Sequence, residues 1–192
     1  MIALGFCGTF AAGKDLAVHL VEEKFKGKAF HVSTGDLVRD ETAHRGLSLA
    51  RENLQLVSND MRFTRGLGIL GRIAAEKISK QRGKQIALVS GIRNVGEVEE
   101  LRKAFGNNFS LIAIDAPIKL RYERVKHRAR AGEQVLSFAE FKASQEKELK
   151  GAAHSQNILA VMKMADFAIQ NTGTKTELRE KIEGILYAIL KK

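Results

Sequence analysis

One cysteine, one proline, two tyrosines and no tryptophan occur among 192 residues, and each scarcity removes a class of protein. A lone Cys7 cannot close an intrachain disulfide, so a disulfide-stapled secreted scaffold is excluded. With Pro117 as the only proline, and no repeat or low-complexity tract, nothing reads as a linker between separate domains. No apolar run approaches the roughly 20 residues that cross a bilayer. No early stretch has a charged segment followed by an apolar one, so a soluble, cytoplasmic protein that engages no membrane is the expectation. The shortage of large aromatics leaves no stacking array for nucleic-acid bases. What is present is a 44% hydrophobic composition, enough for one sizeable core, and a net charge of +10, which favours anionic partners.

Short apolar runs alternate with longer amphipathic stretches. IALGF (2–6), AFHVS (29–33), QIALVS (85–90), FSLIAI (109–114) and DFAIQ (166–170) are bounded by polar or glycine-containing segments and read as buried parallel strands. Helix starts between them carry capping-box spacing at Asn94 with Glu97, Ser137 with Glu140, and Thr174 with Glu177. Strand and helix in alternation predict a single α/β domain over 1–192, with a five-stranded parallel sheet covered on both faces.

The segment from Gly8 to Asp15, GTFAAGKD, follows the first strand and opens a helical pattern from Lys14 to about Phe25. It fits the phosphate-cradling pattern G-x-x-x-x-G-K-[ST] except at its last position, where an aspartate replaces a hydroxyl. Gly8 and Gly13 permit the backbone turns, amides across Thr9, Ala11 and Ala12 can point at an anion, and Lys14 can reach terminal phosphates. Cys7 beside the loop reads as a packing residue.

Further segments resemble nucleotide kinases. HVSTGDLVRD (31–40) resembles the acceptor-site segment of the adenylate kinase family, and SGIRN (90–94) looks like that family's Asp-Gly-Phe-Pro-Arg segment. DAPIKLRYERVKHRAR (115–130), ASQ (143–145) and MADFAIQNTGTKTEL (164–178) are similar to parts of dephospho-CoA kinases and archaeal nucleotide-kinase-like proteins. The resemblance implies a three-layer α/β/α P-loop fold with a small acceptor lobe at about 34–66 and a short arginine lid at about 124–150. It puts Thr34, Gly35, Arg39 and Arg93 on the acceptor, Arg124, Asn171 and Gly173 against the ATP adenine, and Arg128 near the transferring phosphate. Glu97 falls where similar adenylate kinases read the acceptor base, and it also completes the capping box with Asn94.

Two departures from that pattern accompany each other. The usual loop hydroxyl and strand-end carboxylate that position Mg2+ are here Asp15 and Ser90, a carboxylate in the loop and a hydroxyl at the strand end. Some phage deoxynucleotide kinases and animal phosphomevalonate kinases also have Gly-Lys-Asp. Asp115 imitates a metal aspartate, but Pro117 follows it closely, which reads as a helix start with a cap. His44, His127 and His154 have no metal-ligand spacing. The expected function is transfer of the γ-phosphoryl group of Mg·ATP to a nucleoside monophosphate. The alternatives are a dephospho-CoA-like or other small phosphorylated acceptor, and a P-loop ATPase associated with RNA or the ribosome.

Overall fold

The computed structural model describes residues 1–128, 136–149 and 157–191, with the side chains of Arg128, Lys147 and Glu148 also outside the described set. Five parallel strands, β1 (Ile2–Gly8), β2 (Ala29–Ser33), β3 (Ile86–Ser90), β4 (Phe109–Asp115) and β5 (Phe167–Gln170), lie in the order β2-β3-β1-β4-β5. All five fall where the apolar runs predict strands. The register pairs Leu4 of β1 with Leu88 of β3 on one side and Ser110 of β4 on the other.

Burial on both faces explains why the strands read as unbroken apolar runs rather than alternating ones. Leu4 and Phe6 of β1 point to a core shared with α1 (Lys14–Lys24) and α9 (Lys175–Leu190). Ala3 and Cys7 point to a second core. This second layer is built by α2 (Thr34–His44), α3 (Arg51–Arg65), α4 (Ile69–Ser79), α5 (Val95–Phe105) and α8 (Ile158–Lys163). On α9, Leu178, Ile182, Leu186 and Ile189 recur at helical spacing and are all buried, a stripe worth about 1.5–3 kcal/mol per side chain. The result is a three-layer α/β/α fold.

The predicted helix starts are built as expected. Asn94 and Glu97 form a capping box on α5, and Thr174 and Glu177 form one on α9. On α7 (Phe138–Leu149), Ser137 N–H donates to Glu140 while Glu140 N–H donates to the Ser137 hydroxyl, at 2.8 and 3.3 Å. At the edge of the sheet, Lys181 Nζ donates to the carbonyl of Gln170, masking one free acceptor of β5. Between β4 and α7 runs α6 (Ile118–Arg128), which carries the basic segment.

Candidate active site

Because every strand runs the same way, all the loops that leave strand C-termini gather at one edge of the sheet, where α/β proteins bind ligands. The loop between β1 and α1 occupies the centre of that edge. Gly8 has φ +133°, and a Cβ there would collide with the carbonyl of Ile114 on β4. Gly13 has φ +103° and sits directly against the Asn171 amide. Gly8→Ala should therefore lower stability by about 1–3 kcal/mol, read from the denaturant midpoint, and an unchanged midpoint would show that β1 and β4 can part at no cost. With Gly13 as the cap residue, no side chain caps α1, so the helix start presents its first-turn amides and the positive end of its dipole to the loop.

Polar contacts from distant segments hold the loop in shape. The Thr9 hydroxyl, itself buried, donates to Asp115 Oδ1 at 2.6 Å, and the same oxygen accepts from Ala116 N–H at 2.9 Å. Asp115 is thus a structural anchor, tying the loop to β4 as well as to the segment entering α6. Asn171 Nδ2 donates to the Ala12 carbonyl at 2.7 Å, and its own N–H donates to the carbonyl of Asp115. Arg124 reaches both partners, donating to Ala12 at 3.2 Å and to the Asn171 carbonyl at 2.9 Å. Burial of this guanidinium pulls its pKa below the ordinary value, and its charge lies where an anion would compensate the desolvation. Lys14 Nζ folds back onto the Thr9 carbonyl at 2.7 Å.

Arg121, not assigned from the sequence, is the hub behind the loop. It is buried, and it donates to Ala116 at 2.9 Å, to the Phe10 carbonyl at 3.2 Å and to Gln145 of α7 at 2.7 Å. Its guanidinium also lies 5.9 Å from the ring centre of Phe141, which in turn packs against Phe10 at 6.3 Å. The signal available was its place one helical turn before Arg124 in the basic run.

The two segments expected at the acceptor meet at the strand end beside this loop. The buried Thr34 hydroxyl donates to the Gly91 carbonyl at 2.7 Å, joining the STGD and SGIRN segments. Gly35 follows at the start of α2, whose cap is Ser33. Arg39 is half exposed and paired with Asp36 on its own helix. Arg93 has its backbone fixed from both sides, its N–H donating to Glu97 Oε2 at 2.8 Å and its carbonyl accepting from Asn157 N–H at 2.9 Å. Glu97 is fully buried, and its other oxygen accepts from Nε and Nη2 of the buried Arg62, at 3.1 and 2.8 Å. Both of its oxygens are engaged, so the geometry gives Glu97 the cap and the ion pair; meeting a base edge would require breaking one of them. Arg62 had no sequence signal apart from interrupting the helical apolar spacing of α3.

Asp15 is exposed at the start of α1, and no hydrogen bond or ion pair joins its carboxylate to another described residue. Among the described residues no group of three or more His, Cys, Asp or Glu could hold a metal. One unencumbered carboxylate beside a phosphate loop fits Mg2+ shared with nucleotide phosphates, the usual manner of its binding, and does not fit a metal held by protein alone. Ser90 commits its hydroxyl to His31 Nε2 at 2.9 Å. Gly173 is exposed on the turn after β5, against Glu177. Arg128 ends α6, and its side chain, with Arg130 and His154, lies outside the described residues. Burial drives the Cys7 thiol up to about 12, which leaves it a packing residue without thiolate chemistry.

Solved structures of similar fold include the APS kinase of Mycobacterium tuberculosis in complex with AMPPNP and APS, with TM-score 0.59, 18% identity and coverage of 100% of this chain and 98% of that one. The shikimate kinase of Acinetobacter baumannii in complex with shikimate matches with TM-score 0.52 and 13% identity over 100% and 94%. At such identities the likeness shows the fold alone, a parallel sheet between two layers of helices. A UPF0200/UPF0201 protein of Archaeoglobus fulgidus is 38% identical over the whole of this chain, which spans 57% of that relative's length. A UPF0200 protein of Thermococcus onnurineus is 34% identical over 89% of this chain and 90% of its own. With the AAA domain family matching residues 7–141 and UPF0200 relatives aligned along the chain, the protein belongs to the UPF0200 family and carries that AAA domain.

Proposed function

We propose that this protein is a nucleotide kinase that moves the γ-phosphoryl group of Mg·ATP to a nucleoside monophosphate. The observation that carries the reading is the uncapped start of α1 behind Gly13 and Lys14, with the Thr34–Gly91 junction of the two acceptor segments at the same sheet edge. Loop amides and Lys14 hold the β- and γ-phosphates, while Arg124 and Asn171 close the adenine side. Arg39 and Arg93 neutralise the acceptor phosphate with forked N–H donors, and Arg128 is assigned to the transferring group. Asp15 is the carboxylate that would hold Mg2+, and the ion would supply charge compensation for the phosphates during transfer.

The test is a screen of ribo- and deoxynucleoside monophosphates with ATP, the products separated by chromatography. Formation of a diphosphate from one or a few of them supports the assignment. Products only from dephospho-CoA-like or other small acceptors would move the protein to that class, and ATP turnover dependent on RNA would move it to the ATPase class. Arg93→Ala and Arg39→Ala should raise the KM for the acceptor by roughly 10- to 100-fold, the worth of a charged hydrogen bond, and change the KM for ATP far less. Arg124→Ala should do the reverse. An Arg93 effect confined to ATP would overturn the placement.

A further inference from the structure

Outside the phosphate loop, three polar side chains from three elements form a chain beside the site. Ser90 closes β3, pairing with Phe6 of β1 two residues before Gly8, so it lies about 7 Å along the strand from the loop's first glycine. Its hydroxyl meets His31 Nε2 of β2 at 2.9 Å, and His31 Nδ1 lies 3.5 Å from Glu22 Oε1 of α1. The approach to Glu22 is an ion-pair distance rather than a hydrogen bond; a carboxylate beside Nδ1 favours the tautomer with its proton there, in which Nε2 accepts from the Ser90 O–H. Exposure rises along the chain: Ser90 is 7% exposed, while the side chains of His31 and Glu22 are 28% and 40% exposed. That is a path from the buried site to solvent.

A nucleoside monophosphate acceptor has no use for such a path, because its attacking oxygen is largely ionised at neutral pH. A neutral O–H nucleophile does, since its proton must leave as the bond to phosphorus forms. We propose that Ser90, His31 and Glu22 are a proton relay for a neutral O–H nucleophile, giving the protein a second activity, hydrolysis of ATP by water, which rests on the phosphate-loop reading above. The water oxygen bonds to the γ-phosphorus, the bond from that phosphorus to the β–γ bridging oxygen breaks, and ADP and phosphate result. The water's proton passes to Ser90 Oγ as the Ser90 proton passes to His31 Nε2, and the Nδ1 proton leaves to solvent beside Glu22.

Phosphate release from Mg·ATP without acceptor is measured for wild type, His31→Phe, His31→Gln, Ser90→Ala and the His31→Phe/Ser90→Ala pair, with circular dichroism to confirm folding. The Kd for a fluorescent ATP analogue is measured in parallel. Each single variant should hydrolyse ATP about 100-fold or more slowly with the analogue's Kd unchanged, and the double variant should be no slower than the slower single one, since relay members act as a unit. His31→Gln separates a relay from a strut: the amide can still hold the Ser90 hydroxyl but cannot pass a proton through. Wild-type hydrolysis in His31→Gln, multiplicative losses in the pair, or absence of hydrolysis in the wild type each overturns the proposal. Failure of every monophosphate as acceptor, with hydrolysis intact and sensitive to His31, defeats the kinase assignment and leaves the relay standing.

Discussion

Lys14→Ala should lower phosphoryl transfer from Mg·ATP by about 100- to 1,000-fold, an increase of about 3 kcal/mol in the barrier, with the fold retained. The transferring phosphoryl group spreads negative charge over its oxygens, and a fixed ammonium placed there acts where charge must be stabilised. Lys14 is half-buried in the structure and folds its Nζ back over the loop to the Thr9 carbonyl. That partly buried bond contributes about 1–2 kcal/mol to stability, so the melting temperature should fall by only a few degrees while kcat/KM collapses. Near-normal turnover in a folded Lys14→Ala protein would remove the phosphate-loop reading altogether.

Arg62→Ala should cost about 3–5 kcal/mol of stability and lower the melting temperature by about 6–20 °C. The pair it breaks is dry, with the Arg62 side chain 2% exposed and Glu97 fully buried. Removing the guanidinium strands the carboxylate, which must then either stay charged without its partner or take up a proton. The effect reaches the site, because the other oxygen of Glu97 holds the Arg93 N–H. The KM for the acceptor should rise in whatever fraction remains folded. Arg62→Met combined with Glu97→Gln keeps the cap and removes both charges, so it should recover part of the lost stability. A loss below about 1 kcal/mol in Arg62→Ala would mean that water reaches the pair.

The two predictions draw on different kinds of information. Lys14 stood out as a candidate because the phosphate-loop reading needs a strand, a glycine turn and a helix start in immediate succession, and a local requirement leaves a local signature. Arg62 was not, because its meaning depends on a carboxylate 35 residues away. The sequence therefore determined what is periodic or contiguous. Two-faced burial made the five strands continuous apolar runs, the capping boxes marked the starts of α5, α7 and α9, and Gly8 to Lys14 spelled out a glycine turn between a strand and a helix start. Tertiary structure alone decided which distant polar groups meet. Thr9 with Asp115, Ala12 with Asn171, Arg121 with Phe10, and His31 with Ser90 are 106, 159, 111 and 59 residues apart. A hydrogen bond requires two atoms within about 3 Å and correctly angled, and neither composition nor periodicity carries that information until the sheet order has set which strand ends are neighbours.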